Sequence, residues 1–112
     1  MEANTYQELA MRTANSNPLA STAENRLINA ALGLCGEAGE IADSIKKFQF
    51  HGHDLDRDEL VKELGDILWY VALAATALDV PLDEVMQRNI DKLRRRYPEG
   101  FSVEASRNRS EA

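Results

Sequence analysis

The sequence is poor in residues that break or staple a chain. Its 112 residues include six glycines, three prolines and one cysteine, Cys35. A single cysteine excludes an internal disulfide, so the fold rests on its apolar core and needs no oxidising compartment. So few glycines and prolines exclude a fold of many short strands and tight turns, and favour long helices. No apolar run approaches the ~20 residues of a membrane span, and the N-terminal MEANTYQELAMR lacks the apolar core of a signal peptide. The expectation is a cytoplasmic protein that does not engage a membrane. Positive charge is also in deficit. Thirteen Lys and Arg against nineteen Asp and Glu leave a net charge of −6, the wrong sign for gripping a nucleic-acid polymer. What remains is 44% hydrophobic and 29% charged, at 12.5 kDa: one domain with one core.

The apolar residues are spaced for helices. A first short helix is expected near Asn4 or Thr5, either of which can cap it, with Tyr6, Leu9 and Ala10 as its apolar stripe. Asn15–Thr22, which contains Pro18, reads as a connector. Leu27, Ala31, Leu34, Ala38, Ile41, Ile45 and Phe48 then form a seam of alternating four- and three-residue steps. After QFHGHDLDR the seam resumes as Leu60, Leu64, Ile67, Val71, Ala74 and Leu78. Two like-patterned helices on a short link predict an antiparallel hairpin. A further helix is expected from Leu82 to Tyr97, stopped by Pro98 and Gly100. The predicted fold is all-α, a four-helix-bundle type with two long antiparallel central helices. The domain is placed at residues 1–101, and residues 102–112 are expected to be a disordered tail.

The second seam repeats the first at an offset of 26 residues, and that offset also superimposes acids. Glu37-Ala-Gly-Glu40-Ile41 maps onto Glu63-Leu-Gly-Asp66-Ile67. In each pair the acids stand one helical turn apart on one face, immediately before a seam position. Pairing the helices antiparallel brings the two pairs level. Four converging carboxylates repel unless cations neutralise them, and hard oxygen ligands select Mg²⁺ or Mn²⁺. The competing reading is a solvated acidic face. Against it stand Gly33, Gly36, Gly39 and Gly65, which cost helix stability among those very acids.

GLCGEAGEIADSIKK followed by ELGDILWYVALAATAL resembles the MazG-like all-α nucleotide pyrophosphohydrolases, whose hallmark is ExxE, a spacer and ExxD. Here 22 residues, Ile41 to Lys62, form the spacer. NIDKLRRRYPEGF resembles the same family's C-terminal block. The resemblance implies Mg²⁺-dependent hydrolysis of nucleoside triphosphates between the α and β phosphates, giving a monophosphate and pyrophosphate, in the housekeeping of nucleotide pools. It implies Glu37, Glu40, Glu63 and Asp66 as metal ligands and catalytic centre. It also implies a homodimer or homotetramer in which neighbouring chains help form each pocket. The chain departs from many relatives at Gly36, where they carry a further Glu, so the general base is not identified.

Several residues have two readings each. Asn89, Lys92 and Arg96 share one helix face and can hold phosphates and a sugar hydroxyl; by spacing alone they equally form a solvated helix end. The resemblance favours the binding role. Lys47 lies on the Glu37–Glu40 face within reach of a phosphate. Trp69 and Tyr70, one turn beyond Asp66, can stack on a base or fill a core or subunit interface, and Tyr97 shares that ambiguity. His51 and His53 read as turn residues, and Cys35 as a buried small hydrophobe. Three rival functions remain in view. Phosphoribosyl-ATP pyrophosphohydrolase would share the metal chemistry. A di-iron carboxylate bundle needs Glu-x-x-His, and no Glu here has His three residues later. A non-catalytic helical interaction module would have no need of four mutually repelling acids.

Overall fold

The computed structural model describes residues 1–109, and among these every regular element is a helix. In chain order they are α1 (Ala3–Met11), α2 (Ala23–His51), α3 (Arg57–Ala77), α4 (Leu82–Arg96) and α5 (Val103–Arg107). The boundaries follow from local chemistry. Thr22 caps α2 by accepting from the Asn25 N–H, and Asp56 caps α3 by accepting from the Glu59 N–H. Helix α2 ends at Gly52, whose φ of 71° is the left-handed turn that glycine makes without a Cβ penalty. The five residues after His51 then reverse the chain, so α2 and α3 form the expected hairpin, the most extensive contact in the molecule.

Two expectations at the chain ends change. Neither Asn4 nor Thr5 caps α1, which begins at Ala3 without a side-chain cap. Asn4 instead accepts from the Asp83 N–H at 3.0 Å and Gln7 from the Leu82 N–H at 2.8 Å. Helix α4 has Pro81 at its N-cap, which offers no side-chain acceptor, and α1 satisfies its first N–H groups from across the fold. At the other end, the expected disordered tail contains α5, started by Ser102 accepting from the Ala105 N–H. A local cap is enough to begin a turn of helix there. Residues 110–112 of that tail lie outside the described residues.

The hairpin contact does not run along the leucine seam. On α2 it passes through Ala30, fully buried, and Gly33, against which the Tyr70 ring lies. Small residues let the helix axes approach closely, and the acids that follow them on the same face are drawn into the contact. Each seam residue trails its acid by one position on both helices, a rotation of ~100°. Equal rotations in an antiparallel pair bring both seams to one side of the hairpin, where the described residues cover them only in part: Leu34, Ile41, Leu60, Ile67, Val71 and Ala74 are half-buried. Leu64 stays 59% exposed and Leu78 60%, and Leu27, Ile45 and Phe48 are exposed too.

A single chain therefore does not close a four-helix bundle. Among the described residues the buried ones are Ala30 on α2 and Ala10, Ala72, Leu73, Ala75 and Leu82, where α1 and the start of α4 meet α3. The accessible surface is 8408 Å², against about 6,200 Å² for a compact chain of this mass. The radius of gyration is 17.2 Å, against about 13 Å for a compact domain of this length. Cys35, expected to be buried, is exposed, because two residues past Gly33 it points about 200° away from the Gly33–Tyr70 contact. No single helix among the described residues is long and apolar enough to cross a membrane.

Candidate metal centre

The convergence of acids foreseen from the spacing is present. Gly33 faces Tyr70, Glu37 faces Asp66 and Glu40 faces Glu63, so one register aligns the whole site. Glu37, Glu63 and Asp66 each offer a carboxylate oxygen, and these oxygens lie within 4.8 Å of one another. That spacing suits three ligands of a single ion held through oxygen. Glu40, the fourth acid, makes carboxyl contacts with both Glu63 and Glu37.

The electrostatics are those of an unneutralised cluster. Contact with the Glu63 carboxyl, then its charge, pushes the Glu40 carboxyl above the usual range. Contact with Glu37 does the same to Glu63, with burial second. One oxygen of Glu37 and one of Glu63 are buried without a hydrogen-bond donor. An orphaned buried carboxylate oxygen is costly, and a divalent cation is the partner that satisfies several at once. The donor set is all oxygen, which fits Mg²⁺ or Mn²⁺ and not a soft metal.

Beside the acids is an open recess of about 310 Å³ lined by Glu37, Asp66, Trp69 and Tyr70. Trp69 and Tyr70 stand edge to face, with ring centroids 5.1 Å apart. The indole N–H of Trp69 is committed elsewhere, donating to the Ala10 carbonyl at 3.0 Å and to Thr13 Oγ1 at 2.9 Å. Trp69 thus ties α1 to α3 while its ring faces the recess. Tyr6 of α1 is half-buried, and burial first, then the Asp66 charge, raises its phenol above the usual range.

The cationic candidates lie apart. Lys47 pairs with Asp43 at 2.9 Å, which holds the Asp43 carboxyl below its usual range. Lys47 also borders a small cleft at the hairpin turn with Ser44, His53, Asp54, Asp56 and Glu59. Helix α4 departs from α3 at 101°, and none of Asn89, Lys92, Arg96 or Tyr97 lines the acidic recess. Tyr97 packs on Phe101, ring centroids 5.4 Å apart, over a shallow apolar groove.

An all-α hairpin carrying ExxE opposite ExxD defines a class of small metal-site helical hydrolase domains. Residues 27–101 match the MazG nucleotide pyrophosphohydrolase domain, and the chain belongs to that family. It is 45% identical over 82 residues to the Gene 37 protein of Mycobacterium phage L5, covering 70% of this chain and 72% of that one. It is 30% identical over 74 residues to the uncharacterized protein YvdC of Bacillus subtilis (strain 168), covering 57% of this chain and 69% of that one. No solved structure matches.

Proposed function

We propose that this protein is a Mg²⁺-dependent nucleoside triphosphate pyrophosphohydrolase, cleaving (d)NTPs between the α and β phosphates in nucleotide-pool housekeeping. The observation that carries this reading is the cluster of Glu37, Glu63 and Asp66 oxygens with two of its members lacking any donor. Glu40, in contact with two of the three, offers the oxygen for a second ion. Bound Mg²⁺, or Mn²⁺ in its place, would neutralise polyphosphate charge and acidify the attacking water. Glu37, Glu63 and Asp66 would hold it beside the open recess, where the Trp69 ring would be available to a nucleobase. Water would add to the α phosphorus and lose a proton to solvent, the bond from that phosphorus to the α–β bridging oxygen would break, and pyrophosphate would leave with that oxygen.

Cations for the remaining phosphates come from a second copy in this reading. The chain exposes about 2,200 Å² more than a compact monomer of its mass, an excess that suits an obligate homodimer interface. Two hairpins packed seam to seam make a four-helix bundle from two chains, and pairs of these make a tetramer. Asn89, Lys92 and Arg96, on a helix that leaves its own hairpin, then serve the neighbour's site, and Lys47 exchanges Asp43 for phosphate. The deciding experiment is pyrophosphate release from a panel of canonical, deoxy and modified nucleoside triphosphates, with Mg²⁺ and with chelator. Release that needs Mg²⁺ and is abolished by Asp66→Ala is the expected result. No release from any member of the panel rejects the reading.

A further inference from the structure

Trp69 is the chain's only tryptophan, and it lines the recess together with Glu37, Asp66 and Tyr70. Its ring is held from two sides. On one side stands the Tyr70 ring, perpendicular to it with centroids 5.1 Å apart, which itself lies on Gly33. On the other, the indole N–H reaches the turn that ends α1, donating to Thr13 Oγ1 at 2.9 Å and to the Ala10 carbonyl at 3.0 Å. That carbonyl is shared, because it also accepts from the Thr13 N–H at 3.1 Å and from the Thr13 hydroxyl at 2.8 Å. Thr13 Oγ1 spends its proton on Ala10, which leaves its lone pairs for the indole and strengthens it as an acceptor. Thr13 precedes residues 27–101, the stretch that matches the family.

An indole is lopsided, and its outer side-chain torsion has two broad wells about half a turn apart. A half turn would carry Nε1 to the opposite edge, away from Thr13, and swing the six-membered ring with it. The hydrogen bonds to the α1 turn therefore select which part of the indole lines the recess. With its N–H spent on α1, Trp69 can offer a ligand there only apolar ring surface, the kind on which a base stacks. Stacking depends on overlap, so the setting of the ring governs how well a base is held.

We propose that Thr13 is a positioning residue for the recess, its hydroxyl setting the Trp69 ring for a nucleobase from a segment ahead of the family stretch. This rests on the function proposed above, and the test separates the two. Thr13→Val keeps the side-chain shape and the backbone bond of the turn but removes the acceptor, and Thr13→Ser restores the hydroxyl. The single indole N–H resonance reports the hydrogen bond. Calorimetry reports the binding of Mn²⁺, then of the α,β-methylene analogues of the four common deoxynucleoside triphosphates, whose altered bridge resists cleavage. In Thr13→Val the expected result is faster exchange of the indole N–H, unchanged Mn²⁺ affinity and about threefold weaker binding of the tightest analogue, the size of one net hydrogen bond. Thr13→Ser should return both readouts to the parent's. An unchanged indole signal, or equal analogue affinity in Thr13→Val, overturns the Thr13 assignment alone. A loss that Thr13→Ser fails to repair, or a fall in Mn²⁺ affinity, overturns it as well, by showing that Thr13 acts through packing. Absence of Mn²⁺-dependent binding of every analogue in the parent rejects the proposed function, and this role with it.

Discussion

A Cβ atom added to Gly33 would lie 2.2 Å from Cε1 of Tyr70, so the tyrosine ring occupies the volume a side chain would need. Gly36, Gly39 and Gly65 have no such neighbour within 4 Å. The glycines around the acids therefore do not share one purpose. Replacing Gly33 by Ala must push Tyr70 out of a contact that also shapes the metal recess. Overpacking of this kind costs about 1–3 kcal/mol, more than the ~1 kcal/mol that alanine gains in a helix. The reverse holds at Gly39, where nothing opposes the helical gain. Thermal denaturation should show Gly33→Ala melting below the parent and Gly39→Ala at or above it. Gly33→Ala melting higher than the parent would mean that Tyr70 moves freely and does not define the recess.

The crowded acids set a pH dependence whose sign can be worked out. Glu40 and Glu63 are raised above the ordinary carboxyl range by neighbouring acids in the folded chain. Between the ordinary and the raised value the folded chain therefore holds more protons than the unfolded one. Stability must fall as pH rises through that window, and the full repulsion persists above it. Asp43 is shifted the other way, so its stabilising contribution is lost only below the ordinary aspartate range and does not enter here. Metal displaces those protons, so its affinity rises over the same window. The metal-free protein should melt lower at about pH 7 than at about pH 5, and Mn²⁺ should raise the melting temperature more at the higher pH. Glu63→Gln should remove much of this dependence, stabilise the metal-free chain at about pH 7, and lose metal binding. A Glu63→Gln chain that still responds fully to Mn²⁺ would remove Glu63 from the ligand set.

The sequence carried the site better than it carried the packing around it. The acids converge because a three-residue spacing on each helix and a short hairpin link leave one antiparallel register, and both are local facts. The leucine seam was equally legible as a pattern, but a pattern says that a face wants burial without saying what buries it. Leu34 and Ile67 looked like the inside of the hairpin; the inside is made instead by Ala30, Gly33 and Tyr70, where small residues allow close approach. Cys35 was misread for the same reason. Helix α1 was found, but not its place, because the bonds that seat it join Gln7 to Thr76 and Ala10 to Trp69 across more than half the chain. Nothing in local spacing encodes such pairings.

The exposed part of the seam makes a prediction of its own. Ile45 sits in the seam, exposed, and away from the acids on α2. A charge there is harmless to a single chain but is desolvated when a second hairpin packs on it. Ile45→Glu should shift the mass measured by light scattering at micromolar concentration from a multiple of 12.5 kDa to the single chain. If the site is shared between copies as proposed, it should also lower turnover. A parent protein that already runs as a monomer would contradict the shared-site reading while leaving the metal cluster intact.

Trp69 joins two jobs that a substitution can separate. Its N–H holds the end of α1, and its ring forms part of the recess beside Asp66. Trp69→Phe keeps an aromatic face but removes the indole donor from the Ala10 carbonyl, which still accepts from Thr13, and from Thr13 Oγ1. The net loss of such a hydrogen bond costs about 0.5–1.5 kcal/mol. Because the remaining α1 bonds lie near Asn4 and Gln7, the effect should be local: faster amide exchange at the C-terminal turn of α1, with α2 and α3 protected as before. Because the Trp69 ring lines the recess, the substitution should also weaken Mn²⁺-dependent pyrophosphate binding, read by calorimetry. Unchanged binding would make Trp69 a tie for α1 alone.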